Sequence, residues 1–400
     1  MLRGHKIRLN PNDVQATHLA RAAGTARFAY NWALSEWRRQ YQAFLLDPAL
    51  PRPNEAALRR QLNAIKRSAF PWMMEVTKCA PQMAIMQLGQ AFENFFAHRA
   101  HYPRFRRKGH DDRFTLSNEQ FHIKDNRIRI PKLGWVRMRE CLRFTGRVIS
   151  ACISRIADRW FVSVIVDSPE ALLFPPSENQ GAVGVDLGVR NLVTLSTGQV
   201  FAGPKAIRLA EKRLRRLSKS LSRKVKGSRN RAKARQNLAK HHARMGNIRH
   251  NYSHQITSSI TLRFHTIGIE DLNVKGMLGN RRLAGAIADM GFGEIRRQLE
   301  YKAAWRGGQV VVVDRWYPSS KTCSCCGERI EVLGLAQRQW NCASCGASHN
   351  RDINAAMNLR NMAVSSTVSA CGGDGAGLAR ECKVKPAPGK QESISRASFD

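Results

Sequence analysis

The hydrophobic and polar positions change their period several times along the chain. Residues 2–11 alternate between apolar and polar side chains, which predicts a short strand. Residues 11–44, 54–67 and 81–99 carry apolar side chains three and four positions apart, which predicts helices. We expect the first of these helical stretches to break at Gly24, because glycine disfavours the interior of a helix.

Alternation with a period of two returns between residues 112 and 167, in runs separated by turn residues such as Asp125 and Asn126. This pattern predicts an antiparallel sheet or a small barrel. Since residues 2–11 also alternate, we expect one β unit that a helical segment interrupts. Residues 171–181 are expected to form the linker that leaves this unit.

The remaining pattern mixes strands and helices, as α/β proteins do. The expected elements are three short strands within 182–203, two antiparallel helices within 205–250 that separate at 226–230, a helix near 252–264, a strand at 265–272, a helix at 291–307 and a strand at 309–314. The last 35 or so residues are rich in Ser, Gly, Ala and Pro and are expected to form a loose tail.

Charge narrows the range of partners. The 400 residues, enough for roughly two to four domains, include 66 Lys and Arg against 30 Asp and Glu, a net charge of +36. The first 250 residues carry 47 basic and 17 acidic side chains, so the binding surface is expected to be mainly N-terminal and central. A solubilising surface would mix the two signs, whereas this balance favours a polyanionic partner. Nucleic acid is favoured over a membrane, because no stretch approaches about 18 apolar residues and no secretion signal is apparent.

Five of the ten cysteines lie between Cys323 and Cys345. Two Cys-x-x-Cys-Gly turns, with 15 residues between them, predict a tetrahedral and structural zinc site with the ligands Cys323, Cys326, Cys342 and Cys345. Such a site supplies about 10–16 kcal/mol of apparent binding energy, without which so small a ribbon is not expected to fold. Cys325 has the wrong spacing for a ligand pair and is expected to be a bystander.

The first acidic residue of interest is Asp186, in the apolar run AVGVDLGVRNLV. A carboxylate in such a strand is costly unless it is paired or binds a cation, although an Asp that caps a turn is the structural alternative. The flanking Gly184 and Gly188 are expected to let a phosphodiester approach the backbone.

Two further acids follow the same logic. Glu270 ends the apolar run HTIGIE, and its neighbour Asp271 is expected to face the other way, because side chains alternate along a strand. Asp352 begins a helix that carries Asn354 and Asn358 one turn apart. If Asp186, Glu270 and Asp352 converge, divalent cations must separate them, and oxygen ligands select Mg²⁺ or Mn²⁺. Two such ions about 3.5–4 Å apart would support phosphodiester hydrolysis.

Five segments in this order resemble TnpB, the transposon-encoded relative of type V CRISPR effector nucleases: GVDLGVRNLVTL, GIEDLNVKGM, GEIRRQLEYKAAW, YPSSKTCSCCG and WNCASCGASHNRDINAAMNL. The resemblance covers essentially the whole chain. It implies an α/β fold class, with an RNase H-like RuvC nuclease domain that carries a zinc-ribbon insertion. It also implies an N-terminal β-barrel (wedge) domain interrupted by a helical recognition lobe.

The implied boundaries are 1–10 and 112–180 for the wedge domain, 11–111 for the recognition lobe, 181–316 and 350–365 for the RuvC domain with its basic hairpin at 205–250, 317–349 for the zinc ribbon and 366–400 for a disordered tail. The implied activity is RNA-guided cleavage of double-stranded DNA beside a short transposon-adjacent motif. The implied guide RNA derives from the transposon end, with one chain per guide RNA favoured and a cytoplasmic, nucleoid-associated location in a prokaryote. By motif match, Asp186, Glu270 and Asp352 are the Mg²⁺ or Mn²⁺ ligands.

Two other functions remain open at this point. One is a nuclease-inactive, zinc-containing regulator that binds RNA or DNA, although relatives of that kind would be expected to lose acids that are present here. The other is a transposase that performs strand transfer.

Basic side chains beside aromatic ones are suited to nucleic acid. The expected contacts are Arg104, Phe105, Arg106, Arg107 and Lys108 in one run, for which an exposed basic loop is the alternative, and Arg215, Arg216, Arg223 and Lys224 in the basic hairpin. His241 and His242 are expected to be solvated rather than catalytic.

Overall fold

The computed structural model describes residues 1–169, 181–334 and 336–370. These residues fall into two units. Unit 1 holds the described part of Met1–Glu170 with Arg235–Lys240, and unit 2 holds the described part of Ala171–Ala234 and His241–Asp400. The expected linker at 171–181 lies outside the described residues except for Gly181, as does the expected tail from residue 371 onward.

The strands of unit 1 form two antiparallel sheets. They are β1 (Leu2–Arg8), β2 (Arg113–Ser117), β3 (His122–Lys124), β4 (Arg127–Ile130), β5 (Gly134–Arg137), β6 (Arg147–Ile156) and β7 (Arg159–Asp167). One sheet has the order β1-β7-β6-β2 and the other the order β3-β4-β5. Since β1 pairs with β7 along its whole length, the expected β unit interrupted by helices is confirmed.

The helices between β1 and β2 are α1 (Asp13–Leu46), α2 (Glu55–Ala69) and α3 (Cys79–Phe96), with a 3-10 turn at Pro71–Glu75. The predicted break at Gly24 is wrong, because α1 runs through it. A glycine inside a helix costs about 1 kcal/mol. Ala22, Ala23 and Ala26 are all buried around it, and the packing of this small-residue face outweighs that cost.

Unit 2 is built on a five-stranded mixed sheet. Its strands are β8 (Ala182–Asp186), β9 (Asn191–Leu195), β10 (Val200–Ala202), β11 (Thr266–Glu270) and β12 (Gln309–Val313), in the order β10-β9-β8-β11-β12. The pairs β10–β9 and β9–β8 are antiparallel, whereas β8, β11 and β12 are parallel. Parallel strands end at the same edge of a sheet, so β8 and β11 deliver their last residues to one place.

The connecting helices are α4 (Ala206–Ser222), α5 (Arg229–Arg263), α6 (Val274–Met277), α7 (Ala284–Met290) and α8 (Phe292–Trp305). The predicted separation at 226–230 is confirmed, because the Ser228 hydroxyl caps α5 by accepting from Arg231 N. The helix predicted separately near 252–264 is instead the last part of α5. Its apolar residues Ile256 and Ile260 are buried in the unit 2 core. The basic helix therefore continues without a break into this buried part.

After β12 come β13 (Gln339–Asn341), β14 (Ser348–Asn350) and α9 (Arg351–Ala370). β13 and β14 form a two-stranded antiparallel sheet in residues 317–350, which hold the five clustered cysteines and which we call the cysteine-rich segment. α9 extends past residue 365, where the tail was expected to begin. None of the helices in the described ranges is both long and apolar enough to cross a membrane.

Two paired glycines allow α9 to lie directly on the sheet. Gly184 on β8 and Gly268 on β11 are partners in the parallel register. A Cβ atom at Gly184 would overlap the carbonyl oxygen of Ala356, and one at Gly268 would overlap that of Leu359. The expectation that Gly184 makes room for a phosphodiester is therefore wrong, because the backbone of α9 already fills that space.

Candidate active site and zinc centre

Asp186 and Glu270 end neighbouring parallel strands. The preceding residues, Val185 and Ile269, are register partners, so both acids leave the same edge of the sheet. Asp352 lies in the first turn of α9, the helix that packs on these strands. The structure therefore brings the three acids that the sequence singled out to one edge of the sheet.

The electrostatics of this edge reflect the crowding of like charges. Burial, and then the negative charges of Asp352 and Glu270, raise the pKa of Asp186 to about 7. Burial, and then the negative charge of Asp271, raise the pKa of Glu270. Nearby cations act in the opposite direction, since Arg351 and Arg338 lower the pKa of Asp186. Arg338 Nη1 lies 3.1 Å from Asp352 Oδ1.

Asp271 is already neutralised by two arginines. Arg296 Nη1 lies 2.7 Å from its Oδ1, and Arg315 contacts its Oδ2. Hydrogen bonds from Arg315 and Arg296 lower its pKa. Asp271 is therefore committed to these partners, whereas its neighbour Glu270 borders the acidic cluster.

The three acids have the chemistry of a divalent-cation site. Within the described residues, neither Asp186 nor Glu270 forms an ion pair with a basic side chain. Burial raises the pKa of both carboxyl groups. Among the described residues, groups of three or more potential ligand atoms that lie within 4.8 Å of one another are found at the cysteines. The carboxylate oxygens of the three acids therefore do not all lie within 4.8 Å of one another. Oxygen donors of this kind fit Mg²⁺ or Mn²⁺.

Four sulfurs form a much tighter cluster. The Sγ atoms of Cys323, Cys326, Cys342 and Cys345 all lie within 4.8 Å of one another. The pairs Cys323–Cys345 and Cys326–Cys342 are both 3.6 Å apart, close to the roughly 3.8 Å that tetrahedral zinc with about 2.3 Å bonds requires. The donor set fits structural zinc.

The two halves of this cluster have the same backbone. Gly327 N donates to Cys323 O and Gly346 N donates to Cys342 O, both at 2.9 Å. Gly327 and Gly346 have φ angles of 81° and 73°, in the left-handed region that glycine adopts readily. This geometry explains why a glycine follows each cysteine pair.

Two neighbours of the sulfur cluster differ from the sequence analysis. Cys325, expected to be a bystander, belongs to a second close set with Cys323 and His349. His349 Nε2 lies 3.0 Å from Cys323 Sγ, and the ring packs against Trp340 with centroids 4.6 Å apart. No sequence signal separated His349 from the other histidines. The four-cysteine set remains the better zinc site, because the second set offers only three ligands.

A pair of buried amides joins α9 to the segment that begins the zinc centre. Asn358 Nδ2 donates to both Ser319 O and Thr322 O at 2.7 Å. Asn354 Nδ2 donates to Thr322 O at 2.7 Å, and its Oδ1 accepts from Ser324 N at 2.9 Å. We call Asn354 and Asn358 the amide clamp. Their spacing of one helical turn was visible in the sequence, but their backbone partners were not.

The expected nucleic-acid contacts differ in exposure. Arg104, Phe105, Arg107, Lys108, Arg215, Arg216, Arg223 and Lys224 are exposed. Arg106 instead lies over the Tyr30 ring, 3.8 Å from its centroid, and donates to Gln87 Oε1 at 3.0 Å. Its guanidinium therefore organises the loop from within unit 1.

The two histidines of the basic hairpin have different surroundings. The expectation that His241 is solvated is wrong, because it is buried with Nε2 3.3 Å from Ala210 O. His242 is exposed, as expected.

Known proteins resemble this chain along most of its length. Three family models match, described as "Helix-turn-helix domain" for residues 1–44, "Probable transposase" of the OrfB/IS605 type for residues 162–281 and "Cas12f1-like, TNB domain" for residues 292–359. A Streptomyces pristinaespiralis protein named "Putative RNA-guided DNA endonuclease" is 37% identical over 375 residues, which is 92% of this chain and 91% of that protein. The "Putative RNA-guided DNA endonuclease InsQ" of Escherichia coli K12 is 33% identical over 390 residues, 93% of this chain and 94% of that protein.

A solved structure shares the fold. It is described as a cryo-EM structure of the Cas12f1-sgRNA-target DNA complex and matches with a TM-score of 0.51 at 13% identity, over 88% of this chain and 83% of that one. Together with the mixed sheet and the four-cysteine cluster, this likeness confirms the expected α/β architecture with its zinc-ribbon segment.

Proposed function

Because this chain belongs to the TnpB family, we propose that it is an RNA-guided endonuclease that cuts double-stranded DNA beside a short transposon-adjacent motif. The proposal is supported by relatives of nearly the same length that are named RNA-guided DNA endonucleases. The observation that carries it is the convergence of Asp186, Glu270 and Asp352 at one edge of the unit 2 sheet.

We propose that these three carboxylates hold two Mg²⁺ or Mn²⁺ ions in a RuvC-type site. When bound, such ions lower the pKa of an attacking water and offset charge on the leaving 3′ oxygen. The residues must be ionised to bind a cation. Burial and the neighbouring carboxylates raise the pKa of Asp186 to about 7, so cation binding would weaken as the pH falls below 7.

Arg338 adds a positive charge beside the acids. Its Nη1 donates to Asp352 Oδ1 at 3.1 Å, which orients that carboxylate. The amide clamp ties the same helix to the backbone of Ser319 and Thr322, through Asn354 and Asn358. Orientation of a catalytic group by fixed neighbours lowers the entropic part of a reaction barrier.

The guide RNA and the target explain the charge of the chain. Guide pairing reads sequence, so the protein needs basic surfaces that follow a backbone. We assign this role to the exposed Arg215, Arg216, Arg223 and Lys224 of the basic hairpin, and to Arg104, Phe105, Arg107 and Lys108. The proposal also includes one chain per guide RNA, the domain boundaries given above and a structural zinc at the four cysteines.

The experiment starts from protein purified with its bound RNA. Sequencing that RNA identifies the guide, and a plasmid with the matching target is then incubated with Mg²⁺. We expect linear product from the wild type and from Asp314→Asn, an exposed acid that follows β12 at the same sheet edge. We expect none from Asp186→Asn, with RNA and target binding retained.

The same experiment separates the alternatives. Target binding without cutting by the wild type would indicate a nuclease-inactive regulator. RNA-free protein that joins DNA ends would indicate a transposase. Equal cutting by Asp186→Asn and the wild type would remove the catalytic assignment.

A further inference from the structure

We propose that a cavity beside Glu270 receives one unstacked nucleobase of the DNA strand that is being cut. The inference rests on the proposed function and adds a binding subsite to it. The base would belong to a nucleotide next to the scissile phosphodiester, and the subsite would hold that phosphodiester in register with the acids.

The cavity has the size and walls for one base. Its volume is about 320 Å³, at the small end of the range for ligand pockets. Leu187, Leu272 and Val274 are among its apolar walls, and Glu270 lines it as well. Apolar walls suit the faces of a base, as they do in enzymes that hold a base taken out of its stack.

Two arginines that line the cavity form ion pairs with neighbouring acids. Arg296 pairs with Asp271 at 2.7 Å and with Glu300 at 2.9 Å. Arg297 donates twice to Glu294, at 2.9 and 2.7 Å. Arg296 is therefore held between two carboxylates, whereas the more exposed Arg297 is oriented by Glu294 alone. Each guanidinium keeps further N–H groups that can meet the polar edge of a base.

The position of Glu270 selects this occupant. Glu270 belongs both to the acidic cluster and to the lining of the cavity. A base is joined to its own phosphate through one sugar, so a strand whose phosphodiester lies at the acids places an adjacent base close to this opening. A base stacked in a duplex cannot enter, which restricts the subsite to a strand that is already unpaired.

Gly293 allows the cavity to be filled without strain in the backbone. It lines the cavity, and a Cβ atom there would meet no heavy atom within 4 Å. Gly293→Leu therefore adds an apolar side chain to the cavity wall. Gly285→Leu is the matched control, because Gly285 is also an exposed helical glycine with no heavy atom within 4 Å of an added Cβ, and it lies outside the lining.

The test combines this variant with target DNA in which single bases near the cut are removed one at a time. For the wild type and Gly285→Leu, we expect one abasic position to slow cleavage about tenfold, within the range for loss of one stacked base. Gly293→Leu is expected to cut the intact target about tenfold more slowly, with unchanged target binding. The abasic substitution should then cause no further loss.

A second readout does not depend on cutting. In the Asp186→Asn background, 2-aminopurine at the sensitive position should change its fluorescence on target binding, and Gly293→Leu should abolish that change. The subsite proposal would be overturned if Gly293→Leu and the abasic position each slowed cleavage and their effects multiplied. It would also be overturned if the protein cut the target and no abasic position slowed cleavage. Failure of both the wild type and Gly285→Leu to cut any guided target would instead overturn the proposed function.

Discussion

The amide clamp makes a quantitative prediction about the zinc centre. Asn358 is 3% exposed, and its Nδ2 donates to Ser319 O and Thr322 O at 2.7 Å. Asn358→Leu removes both hydrogen bonds. Thr322 O keeps its bond from Asn354 at 2.7 Å, but Ser319 O keeps only a 3.4 Å contact from that residue. A buried carbonyl without a good hydrogen bond costs about 1–3 kcal/mol, so we expect the closed state of the clamp to be destabilised by about 2 kcal/mol.

That loss should appear as faster release of zinc. If the clamp closes the cysteine-rich segment onto α9, a cost of about 2 kcal/mol raises the open fraction about 30-fold. Zinc transfer to an excess of a chromogenic chelator, followed by stopped flow, measures this opening. We expect release from Asn358→Leu to be about 30-fold faster than from the wild type, with slower cleavage and unchanged RNA binding.

Asn361→Leu is the matched control for this measurement. Asn361 is exposed on the same helix, and surface substitutions usually change stability by no more than about 0.5 kcal/mol. Equal zinc-release rates for the two variants would show that the clamp does not hold the zinc centre closed, and the reasoning would fail.

Three further predictions concern the sheet, the acids and the basic hairpin. Gly184→Ala places a Cβ atom against Ala356 O. We expect urea denaturation to show a free energy of unfolding lowered by more than about 3 kcal/mol, or no folded protein at all. Gly285→Ala should leave the free energy of unfolding nearly unchanged. In zinc-loaded protein without added Mg²⁺ or Mn²⁺, burial and the neighbouring carboxylates hold the pKa of Asp186 at about 7 in the folded chain against its ordinary 3.8, so its ionisation lowers the free energy of unfolding as pH rises from 4 to 7. Urea denaturation should find Asp186→Asn more stable than the wild type at pH 8, by up to about 4 kcal/mol, and equal to it near pH 4. Arg215→Ala combined with Arg216→Ala should weaken RNA binding and reduce the slope of log K against log salt by about 1.4–1.8; an unchanged slope would exclude phosphate contacts at these positions.

Much of the mixed sheet of unit 2 could be predicted, because the sequence features that specify its strands are local. The apolar runs that end at Asp186 and Glu270 are strands that end at those residues. The glycine after each cysteine pair indicated a tight turn, and that glycine itself adopts the positive φ angle that the turn requires. In each case the sequence and its physical consequence lie within a few residues of each other.

The features that the sequence did not reveal concern partners that are distant in the sequence. Gly184 resembled a position that admits a ligand, but the closest atom belongs to Ala356. Arg106 resembled its exposed basic neighbours, but Tyr30 and Gln87 hold its guanidinium. A residue type indicates that a partner is needed, whereas the tertiary fold decides whether the partner is nucleic acid or another part of the chain.

Binding of Mn²⁺ tests the central claim most directly. Electron paramagnetic resonance of zinc-loaded protein, titrated with Mn²⁺, reports how many of these ions each chain binds and whether their spins interact. We expect two interacting ions per chain in the wild type and in Asp314→Asn, and loss of the interacting pair in Asp186→Asn, Glu270→Gln and Asp352→Asn. The same Mn²⁺ spectrum from all five proteins would contradict the claim that these three acids form one cation site.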